Sequence, residues 1–357
     1  MANETACVTG ASGFIGAHLV AALLAEGATV HATVRDAGAT AKTAHLTSLP
    51  GADTRLRLFS ADLTAPPGAF DEAIAGCSVV YHSASSYAFD VKDPQRDLVD
   101  PAVQGTRSVL HSCAVAANAG SGLRRLVLTS SVAAITDHGE RGRVYTGADW
   151  NERSNLRHLP YYYGKVLAER EAHEFFTAQP RTWDLVVVNP SVVLGPALSA
   201  SPINTSVESF VVAPCRGGLP IISDVTVGLV DVRDVAATHL AAATKGAAGS
   251  RYICSATEVS FKDIVGTLAS AGCTREKGYK LPTVDATGPI GGTIMQLVAR
   301  LLPGDAGAML RGLLGNPALY DNAPSVKELG ITYRPWRETV IDTVQSQAKW
   351  GNLPSLE

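Results

Sequence analysis

Tyr161 and Lys165 stand four residues apart in the run Tyr161-Tyr162-Tyr163-Gly164-Lys165. If that stretch is helical, both side chains leave one face about 6 Å apart along the axis. A phenol with an unperturbed pKa of about 10 is a weak acid–base catalyst at neutrality, but a neighbouring ammonium favours phenolate and draws it toward the working range. The chemistry that wants such a pair is delivery of a proton to a developing alkoxide while hydride arrives at carbon. A hydroxyl to hold the same oxygen is offered by Ser130 and Ser131, which follow the apolar run 126–129. Side chains alternate along a strand, so the two cannot both face one site.

Hydride needs a carrier, and the start of the chain offers a place for a dinucleotide. A short apolar run ends in Gly10-Ala11-Ser12-Gly13-Phe14-Ile15-Gly16 and continues into strong helix formers with Ile15, Leu19 and Leu23 on one stripe. In a strand–turn–helix context Gly10 permits the sharp turn, Gly13 lets a pyrophosphate approach the backbone, and Gly16 allows close helix packing. The helix N-terminus adds free N–H groups and a positive dipole end. The next strand ends Thr33-Val34-Arg35-Asp36. A guanidinium there suits the 2′-phosphate of NADP by charge and geometry. Lys42 adds a second cation; Asp36 is the acidic group that NAD would ask for, so NADP is favoured with NAD still open. Asp62, after the third strand, falls where an adenine would lie or else caps a local turn.

The elements that must position these groups alternate regularly. Strands are expected over 6–9, 29–34, 55–59, 79–82, 126–129 and 184–188, with helices over 14–26, 69–75, 101–118 and 161–177. Apolar strands alternating with helices predict a parallel sheet covered on both faces. The expected fold is therefore α/β, a doubly wound parallel sheet of Rossmann type, with a smaller, mixed C-terminal substrate lobe. Residues 1–190 form the dinucleotide-binding part, to which later segments return, and 191–357 form mainly the substrate lobe. That second part is punctuated by proline and glycine, yet strands over 228–232 and 251–254 and a helix over 261–271 keep it folded. Apolar helices over 290–314 are expected either as a lid or as plain packing.

Composition excludes several classes. A chain of 357 residues with 46% hydrophobic and 18% charged residues is long enough for a large core and too apolar to be disordered. A net charge of −3 gives no reason to expect nucleic acid. The six cysteines lack CxxC spacing and the nine histidines lack HxH or HxxxH clustering, so no metal is expected. No apolar run reaches the ~20 residues that cross a bilayer. Few residues precede the first strand, which leaves no room for a leader. The expectation is a soluble, cytoplasmic protein with reduced thiols.

Taken together, these motifs identify a resemblance to the extended short-chain dehydrogenases/reductases. The chain is most similar to the branch of dihydroflavonol reductases, cinnamoyl-CoA reductases and microbial carbonyl reductases. The residues that carry it are Val8 to Gly16, Val34-Arg35-Asp36 with Lys42, Tyr163-Gly164-Lys165, Val187-Val188-Asn189-Pro190 with Gly195-Pro196, and Tyr320-Asp321-Asn322. The resemblance implies Tyr161 as proton donor, Lys165 on the nicotinamide ribose, and Ser131 on the substrate oxygen. It also implies Gly10, Ser12, Gly13, Phe14, Ile15 and Gly16 at the pyrophosphate and Arg35 and Lys42 at the 2′-phosphate. Asp62 and Leu63 would lie at the adenine, His82, Ser83, Ala84 and Ser85 along the cofactor, and Pro190 and Val193 beside the nicotinamide. One departure is Pro101-Ala102-Val103-Gln104-Gly105-Thr106, where the family often has an asparagine. Candidate pocket residues are Tyr87, Phe89, Thr136, Tyr162 and Leu194.

The expected activity is NADPH-dependent reduction of an apolar or aromatic ketone or aldehyde. The alternatives are a sugar-nucleotide epimerase or dehydratase, a hydroxysteroid dehydrogenase, or a non-catalytic dinucleotide sensor. The expected partner is a small-molecule substrate, with a homodimer compatible with the resemblance.

Overall fold

Apart from one edge strand, the strands of the main sheet are rich in β-branched and small residues with buried side chains on both faces. In the first strand, Thr5–Thr9, Ala6 and Val8 enter one apolar core, while Cys7 between them enters the other. That two-sided burial forces helices onto both faces. The molecule is described here from a computed structural model covering residues 4–85, 91–178, 182–200, 202–302 and 304–356.

The central sheet has seven strands in the order Arg251–Cys254, Asp184–Pro190, Arg125–Thr129, Val79–His82, Thr5–Thr9, Thr29–Val34 and Leu56–Ser60. All six neighbouring pairs are parallel. The chain runs outward from Thr5–Thr9 through the next two strands, then returns to place Val79–His82 on the other side. The order therefore reverses at the first strand, and the crevice beyond its carboxyl end is where open α/β sheets take ligands. Helices Phe14–Ala25 and Val232–Lys245 pack together on one face, and Asp100–Asn118 and Pro160–Thr177 on the other.

One boundary shifts for a visible reason, and the helices expected over 290–314 form as a pair. The strand expected over 55–59 begins one residue later, because Gly51 turns the chain with φ +79° into the short helix Ala52–Arg55. Arg55 there donates to the Leu24 carbonyl at 3.1 Å, which holds it out of the strand. Residues 290–314 form two helices, Pro289–Leu301 and Gly304–Leu313, and Gly307 lets them meet closely: a Cβ there would lie 2.4 Å from the Leu302 oxygen.

The C-terminal lobe has its own apolar core, including Phe210, Val227, Phe261, Ile264 and Val344. Its framework is a three-stranded sheet ordered Thr257–Ser260, Thr226–Asp231, Val192–Leu194, and a parallel pair of Val284–Ala286 with Ile221–Ser223. Helix Trp336–Lys349, not legible as an element in the sequence, packs against this core. Among the described residues no helix is long and apolar enough to cross a membrane.

Candidate active site

At the end of the first strand Gly10 adopts φ +67°, a conformation that costs an L side chain about 1–2 kcal/mol. A Cβ at Gly10 would also lie 2.7 Å from the Ala84 Cα, and one at Gly16 would lie 2.3 Å from the Gly10 oxygen. Both glycines are thus required by close backbone approach. Gly13 caps helix Phe14–Ala25 without a side chain, and the first ladder bond runs from Ala17 N to Gly13 O at 2.9 Å. The N–H groups of Phe14, Ile15 and Gly16 precede that ladder, and all three residues line a cavity of about 2120 Å³. These donors and the absent side chains form a cradle for an anionic group.

Farther along the same cavity the wall carries Arg35 and Lys42, both exposed, with His45 and Ser48 from helix Thr40–Thr47 and its end. Asp36 is not part of this wall; its carboxylate accepts from the Gly38 N–H at 2.9 Å. The charge at the end of the second strand is therefore positive on the cavity side, which fits a phosphate better than a ribose diol. Asp62 caps its own turn, accepting from the Thr64 N–H at 2.8 Å and the Thr64 hydroxyl at 2.6 Å. Those bonds hold its carboxyl below the usual range. It lines the cavity as well, so the turn-cap and cavity roles coexist. Leu63 lines it beside Gly105, where a Cβ would lie 2.6 Å from a Leu63 methyl carbon.

Helix Pro160–Thr177 begins with proline at its first position, after Leu159, which alone among the described non-glycine residues has positive φ, at 53°. Tyr161 lies in the first turn. Lys165, one turn later, is only 9% exposed, and its Nζ donates to the Thr129 carbonyl at 3.4 Å. Burial lowers the Lys165 pKa to about 8, with Glu169 pulling the other way. Ser131 caps the short turn Val132–Ala134, its Oγ accepting from the Ala133 N–H at 3.1 Å. The Ser130 hydroxyl is committed elsewhere, donating to Glu169. Ser130, Ser131, Tyr161, Tyr162 and Lys165 all line the same cavity as the glycine turn, so the strand end, helix and turn meet at one place.

The structure gathers Ser12, Ser83, Ala84, Ser85, Pro190 and Val193 along this wall too. Three expectations fail. His82 is buried behind the wall, bonded to Thr9 Oγ1 at 2.7 Å and Thr106 Oγ1 at 3.4 Å, and burial keeps it neutral by lowering its pKa to about 3. It braces the strand end, where Thr9 Oγ1 in turn accepts from the Ala84 N–H at 3.2 Å. Thr136 is buried outside the cavity and donates to the His138 carbonyl at 2.6 Å. Leu194 is fully buried in the C-terminal core, because strand alternation turns it away from Val193. Tyr87 and Phe89 lie outside the described residues.

The far end of the cavity was legible only in part, as the apolar helices expected over 290–314, which contribute Met295, Val298, Met309, Leu310 and Leu313 to its wall. It is lined by Ile203, Phe210, Ile221, Val225, Phe261, Met295, Val298, Leu302, Met309, Leu310 and Leu313, with small polar residues such as Asn204 and Ser206 between. No described lining residue from Pro190 onward is Asp, Glu, Lys, Arg or His. Beyond helices Pro289–Leu301 and Gly304–Leu313 and Leu302 between them, the lining residues of this end come from short segments scattered over 203–261, so no single local motif announces them. The charged lining residues Arg35, Lys42, Asp62, Asp97 and Lys165 all precede that point.

Residues 6–254 match the model of the NAD dependent epimerase/dehydratase family. A cinnamoyl-CoA reductase of Medicago truncatula is 39% identical over 274 residues, 74% of this chain and 80% of that protein. A dihydroflavonol 4-reductase of Arabidopsis thaliana is 34% identical over 73% of this chain and 68% of its own length. Among solved structures, a yeast methylglyoxal/isovaleraldehyde reductase complexed with NADPH superposes with a TM-score of 0.78 at 29% identity, covering 97% of this chain and 99% of that one.

Proposed function

The chain belongs to the NAD-dependent epimerase/dehydratase family, and within it we propose that this protein reduces apolar or aromatic ketones or aldehydes to alcohols with NADPH. The observation that carries this is one cavity with Ser131, Tyr161 and Lys165 on its wall, the glycine cradle and two cations before them, and a chamber without charged side chains beyond.

The cradle fits a dinucleotide, since side chains at Gly10 or Gly16 would collide with backbone. Arg35 and Lys42 fit its 2′-phosphate. When bound, NADPH supplies the hydride that the carbonyl carbon receives. Ser131 holds the carbonyl oxygen, and Tyr161 gives that oxygen a proton. Lys165 is held by the Thr129 carbonyl within its helix turn of Tyr161, where its charge favours the phenolate left behind. The chamber beyond shapes the substrate by exclusion: burying an unpaired charge there would be costly, whereas each buried CH₂ gains about 0.8 kcal/mol. That same lining weighs against a sugar nucleotide, whose diphosphate would seek arginine or lysine. The six cysteines are all free and buried, which supports a reducing, cytoplasmic setting.

The test is NADPH oxidation with a panel of aryl and alkyl ketones and aldehydes. Turnover with several of them is expected, together with its loss in Tyr161→Phe. Absence of turnover with every carbonyl, or full activity in Tyr161→Phe, would overturn the reading.

A further inference from the structure

Helix Pro160–Thr177 carries a third group on the face of Tyr161 and Lys165. Glu169, one turn beyond Lys165, is fully buried, and the side chain it pairs with nearly so: Glu169 and Arg251 are 0% and 6% exposed. The carboxylate accepts from the Ser130 hydroxyl, from Arg251 Nε, and from Asn189 Nδ2 at 2.9 Å. The same Asn189 amide donates to the Ser131 carbonyl at 3.2 Å. Its own Oδ1 is buried and takes no hydrogen bond among the described residues, an arrangement costing about 1–3 kcal/mol. Turning the amide over would aim that oxygen at a carboxylate and a carbonyl, so both N–H groups are committed to holding them.

Arg251 extends the brace. Its guanidinium donates to the Gly147 and Asp149 carbonyls at 2.8 and 2.5 Å and lies 3.9 Å over the Trp150 ring. Gly147 allows that loop to sit on the strand, since a Cβ there would be 2.6 Å from the Arg251 oxygen. This loop joins Ser131 to the helix of Tyr161. One buried ion pair therefore ties together the strand end carrying Ser131, the strand end carrying Pro190, the helix, and the loop between them.

Stability alone does not explain its placement. Exchanging a buried pair for apolar residues of similar volume is often neutral or stabilising. We propose that Glu169, paired with Arg251, is a positioning residue for carbonyl reduction, holding Ser131 in register with Tyr161 and Lys165. The proposal rests on the reductase reading above and adds a residue that touches neither substrate nor cofactor. A second consequence is electrostatic. Lys165 is faced by Glu169 and Tyr161 from its own helix and by the Thr129 carbonyl and neutral His82 from neighbouring strands. Glu169 is the anion that opposes the effect of burial on its proton.

Two variants test this, Glu169→Gln and the charge-free double variant Glu169→Leu/Arg251→Met, assayed with a carbonyl that the wild type reduces. Each is followed by urea midpoint, NADPH dissociation constant from fluorescence, and kcat against pH. The double variant is expected to fold, to bind NADPH within about threefold of wild type, and to lose roughly 10–100-fold in kcat. In Glu169→Gln the alkaline limb of kcat is expected at lower pH than in wild type. A folded double variant with wild-type kcat would overturn the proposal, as would an unmoved limb in folded Glu169→Gln. So would failure of both to fold, since the pair would then serve stability. Lack of carbonyl turnover by wild type is a separate result, and it removes the reductase reading itself.

Discussion

The Lys165 ammonium lies 3.4 Å from the carbonyl oxygen of Thr129, the last residue of the strand that leads into Ser130 and Ser131. This contact fixes the helix to the strand end and keeps the buried charge solvated by a backbone dipole. Burial, which this contact only partly offsets, makes the lysine proton easier to lose than usual.

With the Lys165 pKa drawn down to about 8, catalysis should decline as pH rises through that value, since the neutral amine no longer favours phenolate. Stability should respond in the opposite sense. The unfolded ammonium keeps its proton to about 10.5 while the folded one releases it near 8, so the folding penalty of the buried lysine is full below pH 8 and fades between the two. Denaturation of wild type and Lys165→Met at pH 7 and pH 10 checks this: the advantage of the methionine variant should shrink at the higher pH. An advantage that grows would contradict it.

Arg35→Ala with Lys42→Ala should raise the Michaelis constant for NADPH by about 10–100-fold, the worth of one or two charge-assisted bonds. The NADH constant should change little. Steady-state kinetics with both cofactors measures the ratio, and an equal loss for NADPH and NADH would remove the cations from the 2′-phosphate.

Gly16→Ala places a methyl group 2.3 Å from the Gly10 oxygen, a distance that neither backbone can relieve locally. A loss of about 1–3 kcal/mol in stability is expected, with weakened NADPH binding because the cradle must shift. Urea denaturation and a fluorescence titration report the two effects, and unchanged values in both would show that the turn is looser than described.

Met309→Glu introduces a charge where the described lining from Pro190 onward has none. The kcat/KM for an apolar ketone should fall about tenfold or more, while the NADPH dissociation constant stays near wild type. Equal loss of cofactor binding would mean that the chamber and the cofactor cleft are not separate in function.

How much of this was legible in the sequence depended on how local the determinant is. The glycine turn, Arg35 and the Tyr161–Lys165 spacing are short-range patterns whose conformations follow from the residues themselves, and the structure brings them to one cavity. Strand alternation was expected to put only one of the two serines on the site, yet both line the cavity because the strand ends at Thr129, and alternation cannot choose between their roles. The choice is visible only once Glu169 engages Ser130 from a helix 39 residues away. His82 was misplaced for a related reason, since its partners Thr9 and Thr106 come from distant elements. Leu194 was misplaced by one step of alternation beside Val193. The apolar chamber is assembled from segments between Pro190 and Trp350, with no spacing rule linking Phe210, Phe261 and Met309.

The one-sided distribution of charge in the cavity has a consequence for how such a protein diversifies. Every formally charged lining residue described lies at or before Lys165, and the lining from Pro190 onward is neutral. Neutral exchanges among those later lining residues can therefore reshape what is accepted while leaving the charges around the dinucleotide cradle and Lys165 in place. What the chamber admits and what the charged end holds are thus set by different stretches of the chain.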